Sequence, residues 1–307
     1  MSHPSASDPG AVQAEVRDFL RRSHYMERGA VFTDLDGTAV HERDGRACIP
    51  PDVEDGLKRV HDSGRRVVIN TLRFPRSVIS AFAQEWFRIT GEAIPLVALK
   101  GSLLGHIAPA ADGTLGFEEL EAAVLDPAEV DELMLGVEGL VKQGADDLLV
   151  FFYPRDWRRG ELLWTPDTRR LDAARAKYVS ASEVFGGPVD VLHARLSAAD
   201  VCLVFLLDEA PEDRRMAYQH TERTRFVTHV GVDKRYGTER MARHLGIDLE
   251  HSVGAGDAQT DTFLSAVGLA AIVGNAELDF KGIRATLRLA DPLAWGRVLV
   301  QLGSATG

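Results

Sequence analysis

A pair of aspartates at the end of a short apolar segment is the feature that most restricts the fold of this chain. Residues 29–33, Gly-Ala-Val-Phe-Thr, have the character of a buried strand and lead directly into residues 34–38, Asp-Leu-Asp-Gly-Thr. Gly37 interrupts the strand, so Asp34 and Asp36 lie at its carboxyl end, where open α/β sheets carry their sites. Two carboxylates on one side of a strand require a cation between them or a proton on one of them. The segment therefore suits an aspartyl nucleophile, a divalent metal and a second carboxyl that acts as acid and base.

Three further segments bear on this interpretation, because an isolated Asp-Gly pair indicates only a turn. Thr71 ends an apolar, strand-like segment. Lys234 stands where a helix is predicted to begin. Residues 252–261, Ser-Val-Gly-Ala-Gly-Asp-Ala-Gln-Thr-Asp, place Asp257 and Asp261 after a further strand-like segment. Four such segments in one order form a far more specific signal than any one of them.

In this order the four segments resemble the motifs of the haloacid dehalogenase superfamily of phosphotransferases. The resemblance covers most of residues 29–105 and 230–280. It implies that Asp34 attacks phosphorus and carries the phosphoryl group, while Asp36 acts first as general acid and then as general base. It also implies that Thr71 and Lys234 hold the phosphoryl oxygens. The implied Mg²⁺ site consists of Asp34, the backbone carbonyl of Asp36 and Asp257, and Asp261 is implied either to hold a metal-bound water or to pair with Lys234.

The alternation of helical and strand-like segments predicts a doubly wound α/β core with a parallel sheet. This core is expected to comprise residues 1–104 and 233–307, with residues 1–10 disordered. Residues 105–232 interrupt it with clustered strands and helices, including predicted helices at 127–143 and 211–221. They are therefore expected to form an inserted α+β domain. An insert at this position resembles the C2-type cap of Cof-type and sucrose-phosphate phosphatases in the superfamily. After the insert, a further core helix is predicted at 258–267.

A basic and aromatic loop within the insert is a candidate for substrate binding. Arg155, Trp157 and Arg158 lie between two predicted strands and offer paired hydrogen-bond donors and a stacking surface for a sugar. A solvated hairpin loop is the simpler interpretation of the same residues. Because the core groups contact only the phosphate, selectivity is expected to come from the insert closing over the rest of the substrate.

Two segments depart from the pattern of the superfamily branch. Thr71 is followed by Leu72 and Arg73, where the branch often has Thr-Gly-Arg, and Arg73 is retained as a candidate substrate-binding residue. Residues 100–102, Lys-Gly-Ser, stand where the branch often has Asn-Gly-Ala. Both departures are expected near the pocket, which points to an unusual substrate.

Composition excludes some classes of partner. The formal net charge of −11 argues against a general nucleic-acid binder or a protein of anionic membranes. Cys48 and Cys202 are far apart and match no zinc or disulfide pattern, as expected for free thiols in a reducing compartment. No signal-peptide pattern and no apolar run of membrane-spanning length occur, so a cytoplasmic protein is predicted.

The sequence therefore predicts a Mg²⁺-dependent phosphatase that acts on a small phosphorylated metabolite, for example a sugar phosphate. A phosphomutase of the same superfamily would use the same groups but return the phosphoryl group to the substrate. A non-catalytic metabolite-binding relic of the fold is a third interpretation. The costly clustering of charged groups argues against that last one.

Overall fold

A computed structural model describes residues 8–43, 46–207 and 224–305 of the chain. Its largest element is an eight-stranded sheet with the order β15-β14-β13-β1-β4-β5-β6-β7. These strands are β1 Ala30–Thr33, β4 Arg66–Asn70, β5 Ile94–Ala98, β6 Leu103–Pro109, β7 Leu115–Ala122, β13 Val253–Gly256, β14 Leu269–Val273 and β15 Ala285–Leu289. Six of them run parallel, and β6 and β7 extend the sheet as an antiparallel hairpin beside β5. A separate small hairpin is formed by β2 His41–Arg43 and β3 Arg46–Cys48.

Helices cover both faces of this sheet, because its parallel strands are apolar on both sides. One face packs against helices near both ends of the chain, and the other packs against a single long helix and the turn near residue 263. The helices around this sheet are α1 Pro9–Arg22, α2 Tyr25–Arg28, α3 Pro51–Asp62, α4 Pro75–Val78, α5 Gln84–Thr90, α9 Lys234–Leu245 and α10 Pro292–Gly303. A π-helical turn, Ile79–Ala83, joins α4 to α5. The predicted α/β core is confirmed.

A second sheet lies within the interrupted part of the core and has the order β10-β9-β8-β11-β12. Its strands are β8 Leu149–Pro154, β9 Glu161–Thr165, β10 Ala181–Gly186, β11 Val201–Leu207 and β12 Thr224–Val227. Its helices are α6 Pro127–Lys142, α7 Leu171–Lys177 and α8 Val189–Ser197. One face of this sheet buries its apolar side chains against α6 and α8. The opposite face belongs to the same apolar cluster as the core, so the second sheet packs with that face toward the core.

The structure differs from the sequence-based division of the chain at three places. Residues 105–122 were assigned to the insert, yet they belong to β6 and β7 of the large sheet, and we propose that the insert begins after Ala122. Disorder was expected through residue 10, but Pro9 begins α1, whose first amides are capped by Asp8. A helix predicted at 258–267 is replaced by turns and a short 3₁₀ segment. The predicted helix at 211–221 lies outside the described residues.

Two further sequence expectations concern membranes and cysteines. Within the described ranges, no helix is both long enough and apolar enough to cross a bilayer. Cys48 and Cys202 are both free thiols, and Cys202 is buried in β11.

Candidate active site

Three adjacent strands bring the sequence motifs together. In the sheet, β1 lies between β4 and β13, and all three run parallel, so their carboxyl ends meet at one edge. Asp34 follows β1, Thr71 follows β4 and Asp257 follows β13. Lys234 opens α9, whose amide at Tyr236 is capped by the Asp233 side chain. This edge is where parallel α/β sheets place their binding sites.

Lys234 joins two of the aspartates although they are far apart in sequence. Its ammonium donates to Oδ1 of Asp34 and to Oδ1 of Asp261, both at 2.6 Å. All three side chains are buried. The second oxygen of Asp261 accepts hydrogen bonds at 2.9 Å from the backbone amides of Asp257 and Ala258. Asp261 therefore fixes both the lysine and the loop that presents Asp257.

The close packing of acidic groups perturbs their titration. Burial raises the pKa of Asp34 well above its usual value, opposed by Lys234 and reinforced by the neighbouring carboxylates. Burial and Asp261 raise the pKa of Asp257 to about 7. Burial alone would lower the pKa of Lys234, but Asp261 and Asp34 outweigh it and raise that pKa above its usual value. The site thus carries more negative charge than one lysine neutralises.

The excess carboxylates form a group that could hold a metal ion. One oxygen each from Asp34, Asp257 and Asp261 lie within 4.8 Å of one another. Gly37 permits the close approach, because a Cβ at this position would lie 2.0 Å from Oδ2 of Asp257. Gly37 also has φ 76°, which favours glycine. An all-oxygen, acidic ligand set of this kind fits a hard divalent cation. The carboxylate of Asp36 is not part of the group.

Asp36 is bound by Arg73 instead. Arg73 donates from Nε to one oxygen of Asp36 at 2.7 Å and from Nη2 to the other at 2.6 Å. Its remaining terminal nitrogen donates to Oγ of Ser77 at 3.0 Å. Arg73 is buried whereas the side chain of Asp36 is 39% exposed, so the carboxylate is held in place and still open to a reactant. The structure therefore places Arg73 on the predicted acid/base group.

Thr71 lies in a backbone arrangement with unusual geometry. Its amide donates to Val97 O at 2.9 Å, and its carbonyl accepts from the amide of Lys100 at 3.3 Å. Leu99 and Lys100 have φ values of 51° and 59°, which are rare outside glycine, and Gly101 follows with φ 97°. This left-handed turn is held between the loop after β4 and the start of α9, since a Cβ on Gly101 would lie 2.0 Å from Asp233 O.

The candidate loop of the insert contacts the edge of the large sheet. Arg155 forms a bidentate pair with Glu119 on β7, with distances of 2.6 and 2.9 Å to Oε1. The ring of Trp157 meets Phe117 of the same strand edge-on, and the guanidinium of Arg158 lies 4.9 Å from the centre of the Trp157 ring. These three side chains help to line a cavity of about 550 Å³. None of the aspartates at the carboxyl edge lines that cavity.

Two charged residues near the interface of the two sheets were not singled out as site residues from the sequence. Glu161 begins β9 and is buried, and it accepts hydrogen bonds from Tyr153 Oη at 2.5 Å and Ser180 Oγ at 2.8 Å. Burial raises the pKa of Glu161. Lys100 is half-buried, and its ammonium faces Phe226 of β12. The sequence signal for Glu161 was a charged residue beside an apolar strand. For Lys100 it was the departure from the superfamily pattern at residues 100–102.

Comparison with known proteins agrees with this fold. Residues 202–284 match the family model of haloacid dehalogenase-like hydrolases. A haloacid dehalogenase subclass IIB sugar phosphatase shares the fold with a TM-score of 0.58 and 18% identity, over 81% of this chain and 88% of that one. The chain has the haloacid dehalogenase fold. The predicted resemblance to hydrolases of this type is confirmed.

Two more solved structures with this haloacid dehalogenase fold match nearly the whole chain. A phosphatase from Bacteroides thetaiotaomicron gives a TM-score of 0.60 at 17% identity, over 91% of this chain and 97% of its own. A haloacid dehalogenase-like hydrolase from B. subtilis gives a TM-score of 0.56 at 18% identity, over 88% and 98%. None of the curated proteins matches the chain.

Proposed function

We propose that the chain is a Mg²⁺-dependent phosphomonoester hydrolase that acts through an aspartyl phosphate. The supporting observation is the placement of Asp34 at a strand end, bound by Lys234 and beside Asp257 and Asp261. In-line phosphoryl transfer requires positioning and neutralisation of charge, and this arrangement supplies both. A cation bound by these aspartates would neutralise the phosphate and the carboxylates when present.

The first step forms the bond between a carboxylate oxygen of Asp34 and phosphorus and breaks the bond between phosphorus and the ester oxygen. Asp36 gives a proton to the departing alkoxide. One oxygen of Asp36 carries that proton, while the other still accepts from Arg73. Lys234 favours the ionised form of Asp34 that attacks, because its charge opposes the rise in pKa that burial causes.

The second step releases phosphate. The ionised Asp36 takes a proton from a water molecule, which attacks phosphorus and breaks its bond to Asp34. Thr71 and Lys234 are proposed to hold the phosphoryl oxygens during both steps. A small phosphorylated metabolite is the proposed substrate class, and the sugar phosphatase among the similar structures supports a sugar phosphate. A cytoplasmic location remains a prediction.

Free phosphate released from a panel of phosphorylated metabolites tests the proposal. Release is expected with Mg²⁺, and it should stop in excess chelator and in the Asp34→Asn variant. Acid-quenched wild-type protein should carry a base-labile phosphoryl group that Asp34→Asn lacks. Transfer of the phosphoryl group to a second position of the substrate, without free phosphate, would identify a phosphomutase instead. Full hydrolysis in chelator would contradict the metal dependence.

A further inference from the structure

Lys100 places a cation at the junction of the two sheets. It follows β5 and its amide bonds to the carbonyl of Thr71 at 3.3 Å, so its backbone lies beside the proposed phosphate-binding residue. The preceding amide, of Leu99, bonds to the carbonyl of Arg73 at 3.3 Å. The turn is therefore attached to Thr71 and Arg73 in the loop after β4. The side chain of Lys100 therefore begins next to Thr71, at the catalytic edge.

The side chain extends from the core toward the insert. Its ammonium lies 5.8 Å from the centre of the Phe226 ring on β12, and Phe226 packs on Phe205 of β11 with ring centres 4.8 Å apart. Lys100 thus spans from the catalytic edge to the inward face of the second sheet. A cation over an aromatic face is weakly stabilised compared with one paired to a carboxylate.

Within residues 8–43, 46–207 and 224–305, the charge of Lys100 is incompletely compensated. Among the residues that the structure describes, no carboxylate forms an ion pair with its ammonium. Burial lowers the pKa of Lys100, and the more distant Asp233 offsets this only in part. By contrast, Lys142 on α6 pairs with Glu138 at 3.0 Å, and Lys58 on α3 pairs with Asp62 at 2.5 Å. A half-buried cation without a partner is costly, and a bound anion would remove that cost.

The backbone at this position also carries strain. Lys100 adopts a left-handed conformation, with φ 59° and ψ 26°, immediately after Leu99 at φ 51°. Strained conformations of this kind persist where the surroundings impose them, and they concentrate at binding sites. Here the surroundings are the hydrogen bonds to the loop after β4 and the contact of Gly101 with the start of α9. The strain fixes the point from which the ammonium is presented.

We infer that Lys100 binds a second anionic group of the substrate, so that the enzyme prefers phosphomonoesters that also carry a carboxylate or another phosphate. This inference rests on the proposed function for the class of reaction, but its geometry is independent of the nucleophile. The phosphoryl group would occupy the edge formed by Asp34, Thr71 and Lys234. The second anion would lie beside the Lys100 ammonium. This position is between Thr71 and the face of β11 and β12 that is turned toward the core.

Matched pairs of esters test the inference in the full chain with Mg²⁺. Glycerol 3-phosphate and 3-phosphoglycerate differ by a carboxylate, whereas fructose 6-phosphate and fructose 1,6-bisphosphate differ by a phosphate. Wild-type kcat/KM should be about tenfold or more higher for the doubly anionic member of one pair, the size expected of one charge-assisted hydrogen bond. The pair that shows the preference identifies the second anion as carboxylate or phosphate.

Two substitutions isolate the charge. Lys100→Met keeps an unbranched side chain of similar length, and it should remove most of the preference while leaving kcat/KM for the singly anionic ester within about twofold. Lys100→Arg should keep part of the preference. Lys142→Met removes an exposed, paired lysine from the insert and should keep all of it. Equal losses on both members of a pair, or no preference in the wild-type protein, would overturn the inference.

Binding provides a readout that does not depend on hydrolysis. Calorimetric titration of the same esters into Asp34→Asn, with and without Lys100→Met, should show the same tenfold difference in Kd. If that difference appears but wild-type protein releases no phosphate, the proposed hydrolysis fails and the inference stands. If phosphate is released but neither Kd nor kcat/KM depends on Lys100, the inference fails and the proposed hydrolysis stands. If no ester binds and none is hydrolysed, both are wrong.

Discussion

Asp36 combines firm positioning with access to solvent, and this combination makes a specific prediction about its role. The Asp36→Asn substitution keeps one oxygen that can accept from Arg73 but removes the group that exchanges a proton. It should lower kcat at least about 10²-fold, as expected for loss of a general acid and base. Steady-state phosphate release measures this effect, and Mg²⁺ binding measured by calorimetry should be nearly unchanged.

Asp167 offers a matched control for that substitution. It is also held by an arginine through two hydrogen bonds, both at 2.9 Å from Arg169, but it lies in the insert away from the catalytic edge. Asp167→Asn should leave kcat unchanged. Wild-type turnover in Asp36→Asn, or an equal loss in both variants, would show that the carboxylate of Asp36 serves only structure.

Glu161 makes a prediction about stability and pH. Burial raises its pKa in the folded protein, so the folded state binds its proton more tightly than the unfolded state does. The resulting contribution to the free energy of unfolding is complete below the unfolded pKa near 4.5 and is lost as pH rises through the folded value. Glu161→Gln removes this dependence. Thermal unfolding measures the effect. The Tm of Glu161→Gln minus the Tm of wild type should become more positive from pH 5 to pH 8.

Glu138, a partly exposed residue of α6, supplies the control for this titration. Glu138→Gln changes the same chemical group where it is only loosely paired with Lys142. Its difference in Tm from wild type should vary little over the same range of pH. A constant difference for Glu161→Gln would mean that Tyr153 and Ser180 compensate the buried charge completely.

At the scale of elements, the turn 99–101 couples the loop after β4 to the start of α9. Gly101→Ala would place a methyl group 2.0 Å from Asp233 O in a left-handed backbone, so the helix start that carries Lys234 must move. A displacement of about 1 Å at a catalytic group can cost about 10²-fold in rate. We expect a loss of that order in kcat/KM, together with a lower free energy of unfolding.

Gly144→Ala is the control that separates the effect of backbone strain from the effect of displacing α9. Gly144 has φ 90°, and no atom lies within 4 Å of the position that its Cβ would take. Gly144→Ala should therefore cost only the strain of a left-handed alanine, about 1–2 kcal/mol in urea unfolding, and leave kcat/KM unchanged. Equal effects of the two substitutions on activity would show that the turn does not position α9.

Elements with strong local signals were predictable, and those determined by tertiary context were not. The capping box of Asp126 and Glu129 fixes the start of α6 where the sequence predicted a helix. The hairpin of β6 and β7 was missed because its polar strand at the sheet edge, with Glu118 and Glu119, lacks a buried alternation. The predicted helix at 258–267 does not form: the chain makes only the 3₁₀ turn Thr262–Ser265 there, and the Asp261 side chain accepts from the amides of Asp257 and Ala258.

The same distinction applies to the site. Motif spacing brought the aspartates, Thr71 and Lys234 to one edge, because parallel strands dictate where their ends meet. Contacts between side chains from distant parts of the chain carry no such local signal. The sequence therefore indicated neither the pairing of Arg73 with Asp36 nor that of Arg155 with Glu119.

At the scale of the whole molecule, the ion pair between Arg155 and Glu119 joins the insert to the core sheet. A role for Arg155 in holding the two together is therefore a testable alternative to its predicted role in substrate binding. Arg155 is 48% exposed and Glu119 28%, so a coupling free energy of about 0.5–1 kcal/mol is expected from a double-mutant cycle. Single and double alanine variants in urea unfolding supply the cycle. The KM of Arg155→Ala should match that of Glu119→Ala, because both lose the same contact.

Arg169→Ala is the control, since the pair of Arg169 with Asp167 lies wholly within the insert. It should leave KM unchanged. A coupling of zero, with a higher KM for Arg155→Ala alone, would instead support direct contact between Arg155 and the substrate.

The ion pair between Lys234 and Asp34 joins residues that are 200 positions apart in sequence. The pairing of β1 with β13 spans a similar length of chain, so β1 is synthesised long before its partner strand. At about 5–20 residues per second, a ribosome needs about 10–40 s to make that span. Throughout this interval the nascent chain contains a strand with one unpaired edge and an Asp34 without its lysine, while the insert emerges and can collapse. A chain released early would thus contain both aspartates of the first motif and a complete insert, yet have no assembled centre.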